Sequence, residues 1–286
     1  MKSFAVLLIL FLLLIHEAVP KKQLKRQRSR YKKILRIVGG RLVHKNDDYL
    51  SAVSIIYRPH LKKDLIKLAC GATIIHKYWS LTASHCLKPI PNRLIMSKHI
   101  FLRGNTTYWD GSSKHYQDHF IADYSLHEDY LGPQNQFDND IALLKVKEPF
   151  TGVYEKPVCI ASRSYTYIEN TSAVVFGWGF TDPHKQDSNS KALKAADIRI
   201  TNFSTCLKIH ESINKMVSAR MVCAWGHKTD SCTGDSGGPM IQNDTLIGIV
   251  SWGMECASDH WPGIYTRISE FPEWILRKIK SLSKTT

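Results

Sequence analysis

The 286-residue sequence predicts an all-β fold of antiparallel sandwiches or barrels, closed by one helix at its C-terminal end. Three observations carry this. Short β-like runs separated by turn residues fill the chain from Ile37 to about Arg267, no long helical patterns alternate with them, and helical spacing appears only after residue 268. With 43% hydrophobic residues the chain can bury a full core, and about 250 residues suit one large all-β domain or two fused barrels.

The first stretch, "MKSFAVLLILFLLLIHEAVP", sets Lys2 before an unbroken apolar run from Phe4 to Ile15. That run is too short to cross a bilayer and has the pattern of a secretory signal. Cleavage is expected after Ala18, with His16 in place of the small residue usual two positions earlier. No later run reaches the length of a membrane span. The next stretch, residues 19–36, ends in "KKQLKRQRSRYKKILR" and reads as a basic pro-segment. Residues 1–36 hold ten Lys and Arg against one Glu, a net +9 of the formal +14, which leaves +5 for residues 37–286. Such a segment is a solvated, disordered extension or a tail for polyanions or membrane surfaces.

The β-like runs follow in order as "LSAVSIIY", "LACGATII", "SLTAS", "DIALLKV", "SAVVFGW", "TLIGIVSW" and "GIYTRI". The end reads "SEFPEWILRKIKSL", with a serine as candidate cap, Pro272 in the first turn and Trp274, Ile275, Ile279 and Leu282 at helical spacing, which predicts an amphipathic helix over about 270–282. Seven cysteines in a secreted chain read as disulfides with one left over, and their spacing is not that of a zinc site. Four sequons, at Asn105, Asn170, Asn202 and Asn243, mark expected surface glycosylation positions.

The chemistry is concentrated in "DSCTGDSGGP", where Ser236 follows Gly-Asp and an aspartate, Asp230, lies six residues upstream. An unassisted serine hydroxyl is a poor nucleophile, so this stretch needs a base, an orienting carboxylate and an oxyanion site elsewhere. "LTASHC" offers His85 at the end of a β-like run, and "FDNDIALLKV" offers Asp140 before an apolar strand. Alone, the first reads as a structural histidine beside a cysteine and the second as a turn residue.

Together with "RIVGG", "FGWG", "SWG" and "PGIYTR", in this order, these motifs resemble the chymotrypsin-like serine protease family, trypsin subgroup, from Ile37 to the C-terminal helix. The resemblance implies two packed antiparallel six-stranded β-barrels, the first over about 37–150 and the second over about 151–268, within a peptidase domain of residues 37–286. It implies His85 as base, Asp140 as its orienting carboxylate, Ser236 as nucleophile, and the N–H groups of Gly234 and Ser236 as oxyanion hole. It implies a zymogen cut after Arg36, by another protease or by itself, whose new Ile37 ammonium pairs with Asp235. Asp230 with Ser231 would form the base of a pocket for Arg or Lys, Gly253 and Gly263 its open walls, and Ser251 and Trp252 the segment that pairs with substrate backbone. The implied disulfides are Cys70–Cys86, Cys206–Cys223 and Cys232–Cys256. Cys159 is then left as a buried free thiol or an intermolecular link; in two-chain relatives a cysteine there holds the pro-segment.

Four departures from the family pattern stand out. Ser84 replaces the usual alanine before the histidine, and Glu255 stands on the pocket rim where glycine is commonest. The segment after Gly104 lacks the acids of the calcium loop, and Pro262 replaces the aromatic of sodium-responsive relatives. No metal and no cofactor is therefore expected. The segment "RPHLKKDLIK" reads as a basic loop at the cleft edge, solvated or an exosite for acidic partners. Expected partners are polypeptides with Arg or Lys before the scissile bond, an activating protease and a serpin or other protein inhibitor, with no nucleic acid. The competing reading is a secreted non-catalytic homologue acting as a basic binding or antimicrobial protein.

Overall fold

The computed structural model describes residues 40–43, 50–60, 65–182, 185, 188–226, 234–255, 258 and 260–284, all within one compact unit spanning Arg36–Thr286. The basic and apolar segments before residue 36 lie outside these residues, as does part of the basic loop at 61–64.

Two closed antiparallel barrels of six strands make up the fold. After a short strand β1 (Arg41–Leu42), the first barrel is formed by β2 (Ala52–Tyr57), β3 (Lys67–His76), β4 (Trp79–Thr82), β5 (Ile100–Gly104), β6 (Gln117–Leu126) and β7 (Ala142–Val146), closing in the order β2-β3-β4-β7-β6-β5. The second contains β9 (Ser172–Gly177), β10 (Lys194–Ile200), β11 (Met221–Trp225), β12 (Pro239–Gln242), β13 (Thr245–Trp252) and β14 (Gly263–Arg267). Its order is β10-β11-β14-β13-β12-β9, closed by pairing of β9 with β10 from Lys194↔Gly177 to Arg199↔Ser172. The short β8 (Cys159–Ile160) runs parallel to β13. Closure leaves few unpaired edges, which is how an all-β chain of this size avoids edge-to-edge association.

The β-like runs fall on β2, β3, β4, β7, β9, β13 and β14. They carry many of the buried apolar side chains, such as Val53, Ile55, Ile56, Leu81, Ile247 and Ile249, in runs long enough to read as strands. Full burial of such a side chain is worth about 1.5–3 kcal/mol. β5, β6, β10 and β12 carry mixed polar and apolar residues and give a weaker signal, and β11, though apolar, is only five residues long. Arg103 on β5 is buried because its guanidinium meets both carboxylate oxygens of Asp118 on β6, at 2.7 and 2.9 Å, and lies over the Tyr116 ring.

Three helices complete the described fold: α1 (Asn92–Ile95), α2 (Phe203–Glu211) and α3 (Pro272–Ser283). The helix expected at the C-terminus is α3, and Trp274 and Ile275 are its buried residues. Its cap differs from expectation. Residues Ile268–Glu270 form a 3-10 turn and Phe271 precedes the helix, so Ser269 is buried in that turn and caps nothing. Helix α2 is absent from the sequence reading. Asn202, read there as a sequon, also caps it: Oδ1 accepts from Ser204 N at 2.9 Å and Thr205 N at 3.3 Å.

Candidate active site

β4 ends at Thr82 and the chain turns at once into a 3-10 turn, Ser84–Cys86, that carries His85. The Cys70–Cys86 disulfide ties this turn to β3, and the Ser84 hydroxyl donates to the Ile141 carbonyl at 2.6 Å. Ser84 is therefore more than a small replacement for alanine: it binds the histidine turn to the start of β7.

Asp140 immediately precedes β7 and is 1% exposed, whereas the His85 side chain is 22% exposed. The His85 backbone N–H donates to Oδ1 at 2.9 Å, and Nδ1 lies 2.7 Å from Oδ2. A carboxylate accepts, so Nδ1 carries the proton and Nε2 is the basic nitrogen. Oδ2 also accepts from the Ser251 hydroxyl at 2.6 Å, and the Asp140 carbonyl accepts from Thr266 Oγ1 at 2.6 Å. Both of those residues belong to the second barrel, so the orienting aspartate of one barrel is held, at its carboxylate and at its main-chain carbonyl, by hydroxyls of the other. The Phe137 ring meets His85 edge to face, with centroids 6.2 Å apart.

Ser236 lies in the turn before β12. Its carbonyl accepts from Gly71 N at 2.8 Å, and Gly71 adjoins Cys70, the disulfide partner of Cys86. The next residue, Gly237, packs so closely on the β4 end that a Cβ there would lie 2.2 Å from Thr82 Oγ1. The serine main chain is thus fastened to the strands that carry the histidine turn. Gly234 has φ +98°, and a Cβ would meet Asn189 Nδ2 at 2.5 Å, so both backbone and space call for glycine. Asp235 is buried, its Oδ1 accepts from Gly179 N at 2.6 Å, and Gly177 and Gly179 leave room for its carboxylate.

Trp252 ends β13 and pairs with Ile264; Gly253 and Gly263 adjoin one another, a Cβ on the first lying 4.0 Å from the Cα of the second. Glu255 is exposed. The expected Arg36, Ile37, Asp230, Ser231, Cys232 and Cys256 lie outside the described residues. Of the disulfides, Cys70–Cys86 and Cys206–Cys223 are formed. Cys159 is free and exposed, which corrects the buried thiol: β8 is a two-residue strand paired with the first residues of β13, and its Cys159 side chain faces solvent. Asn170 and Asn243 are exposed, Asn105 and Asn202 half-buried.

The family model described as Trypsin matches residues 37–275. The chain belongs to the trypsin family of serine proteases. Among its trypsin-family relatives, Hypodermin-A of Hypoderma lineatum is 30% identical over 86% of this chain and 89% of its own length. Trypsin epsilon of Drosophila erecta is 30% identical over 74% of this chain and 78% of its own. Transmembrane protease serine 11C of Mus musculus is 34% identical over 73% of this chain, which spans about half (47%) of that relative. No described helix is long and apolar enough to cross a membrane.

Sequence reading named the histidine, aspartate and serine but missed the hydroxyls of Ser84 and Thr266 and the Phe137 ring. Ser84 did leave a signal, since it departs from the family's alanine. The others act through contacts between distant segments, which spacing along the chain does not record.

Proposed function

We propose that the protein is a secreted serine endopeptidase, made as a zymogen and activated by cleavage after Arg36, that cuts after Arg or Lys. The observation that carries this reading is the buried Asp140 carboxylate, which fixes the His85 tautomer through a 2.7 Å hydrogen bond. In this reading Ser236 Oγ attacks the peptide carbonyl as His85 Nε2 takes its proton. The C–O bond forms, the carbonyl π pair moves to oxygen, and the N–H groups of Gly234 and Ser236 stabilise that oxyanion. The oxyanion pair then re-forms the carbonyl as the C–N bond breaks and His85 gives its proton to the leaving amine; water attacks the acyl-enzyme in the same way, and the C–O bond to Ser236 breaks to release the acid. Asp140 holds the imidazole and stabilises its charged form.

Activation follows from charge. A free Ile37 ammonium satisfies the buried Asp235 carboxylate from a second side, and breaking such a pair leaves a charge whose isolation costs about 3–5 kcal/mol. Asp230 supplies the acid at the pocket base, and the exposed Glu255 adds a salt-screened attraction for basic residues at the rim. The apolar run at residues 4–15 supports secretion, and the sequons support glycosylation.

Cleavage of a peptide library by the trypsin-treated protein tests the reading. Cuts after Arg and Lys are expected, lost in Arg36→Gln through failed activation and redirected in Asp230→Ser. A preference for aromatic residues would overturn the specificity. No cleavage by a processed, folded protein would favour the non-catalytic homologue.

A further inference from the structure

His210 is the penultimate residue of α2 and is wholly buried. Its Nδ1 lies 2.9 Å from the Cys206 carbonyl one turn back; a carbonyl only accepts, so Nδ1 carries the proton, and in the Nδ1–H tautomer Nε2 is an acceptor. That nitrogen is buried and has no hydrogen-bond partner among the described residues. The His210 ring meets Trp252 edge to face, with centroids 5.4 Å apart and planes at 84°. Trp252 Nε1, which can only donate, is likewise buried and without a hydrogen-bond partner among the described residues.

Two buried orphans of opposite polarity therefore share one ring contact. A buried donor or acceptor that stays unsatisfied keeps its full desolvation cost. Trp252 packs against an apolar cluster of Val217, Met221, Ile264 and the Cys206–Cys223 disulfide, whose side chains offer the indole no oxygen or nitrogen acceptor. A phenylalanine at 210 would fill the same space without stranding a nitrogen. Trp252 follows Ser251 on β13, and the Ser251 hydroxyl binds Asp140, so the strand that carries the indole also supports the candidate base.

We propose that His210 is a positioning residue for Trp252: its Nε2 and the indole Nε1–H are each other's partners, joined by a small turn of the indole or one shared water, and the couple holds the indole where β13 receives a peptide. The role in substrate binding rests on the endopeptidase reading; the donor–acceptor couple does not. Because α2 is tied to β11 by the disulfide, the helix transmits a fixed position to the indole rather than letting it rotate with the cleft.

The test reads the two separately. In ¹⁵N-tryptophan-labelled full chain, the Trp252 Nε1–H signal is assigned by its loss in Trp252→Phe. It is expected to be protected from exchange, to exchange about tenfold faster or more in His210→Phe, and to recover protection in His210→Gln, whose amide oxygen restores an acceptor. Unchanged exchange in His210→Phe would overturn the proposal. Should His210→Phe not fold, the His210 Nε2 signal takes its place: it must shift between wild type and Trp252→Phe, and an unmoved signal overturns the couple. For the substrate role, His210→Phe is expected to raise KM severalfold for peptides extending before the scissile bond, with kcat held and single-residue esters unaffected. Equal effects on both substrate types would overturn positioning. Absence of any peptidase activity would instead sink the endopeptidase reading, leaving the exchange result to decide the couple.

Discussion

Asp140 accepts three hydrogen bonds through its carboxylate, from His85 N, His85 Nδ1 and Ser251 Oγ, and each does a different thing. The backbone bond fixes the turn, the ring bond fixes the tautomer, and the hydroxyl stabilises the negative charge. Removing the charge should therefore hurt more than removing one donor. Asp140→Asn is expected to lower kcat by about 10⁴, because its amide can donate and so favours the wrong tautomer. Ser251→Ala is expected to lower kcat/KM by about tenfold to a hundredfold, the worth of one hydrogen bond to a charged group. Steady-state kinetics of the activated variants checks both, and a Ser251→Ala enzyme as active as wild type would remove Ser251 from the support of Asp140. The three catalytic candidates were legible in the sequence because nucleophile, base and carboxylate each sit in a short local motif. Thr266 and Gly71 were not, because their part is to hold Asp140 and Ser236 across 126 and 165 residues of chain.

Strand β6 carries a second buried ionisable pair, remote from the candidate triad in sequence and chemistry. His119 Nε2 lies 2.8 Å from Glu155 Oε1 and Nδ1 2.9 Å from the Glu148 carbonyl, and both side chains are almost fully buried. Two acceptors facing two ring nitrogens call for a doubly protonated ring. Burial works against that charge, but the hydrogen bond and charge of Glu155, with the Glu148 carbonyl, outweigh it and raise the His119 pKa. A raised folded-state value means that the stabilisation is complete below the unfolded histidine value of about 6.5 and is lost as pH rises through the folded value. The stability difference between wild type and His119→Gln, from urea unfolding, is thus expected to be largest near about pH 6 and to shrink toward higher pH. A difference that grows with pH would contradict the pairing. No motif marks this pair, since a lone histidine on a mixed strand reads as a solvated or core residue. The same limit hid β5, β6 and β10: their alternation is interrupted by inward polar groups such as Arg103, His119 and Lys194, each buried because folding supplies its partners.

Across the whole molecule, the two barrels meet at the candidate site, where Ser251 and Thr266 of the second bind Asp140 of the first and Gly71 of the first binds Ser236 of the second. Activity should therefore depend on the barrels staying docked, and modification far from that seam should leave it intact. Cys159, exposed and paired with Thr245 at the start of β13, at the end of that strand away from Ser251, offers such a place. Maleimide labelling of the native protein is expected to modify Cys159 without loss of activity, and Cys159→Ser to abolish that label; resistance to labelling in the native state would point instead to an intermolecular disulfide, visible as a dimer on a non-reducing gel. The barrel architecture was legible from seven β-like runs and the family motifs, but the exposure of Cys159 was not, because a cysteine at a strand start looks the same in sequence whichever way it faces. The central claim is that one serine, Ser236, is made nucleophilic by His85 and Asp140, and the most direct measurement of it is fluorophosphonate labelling of the Arg36-cleaved protein followed by mass-spectrometric mapping. The account predicts one label per chain, on Ser236, lost in His85→Ala and absent before cleavage; no label on the folded, cleaved protein, or a label on any other residue, would contradict it.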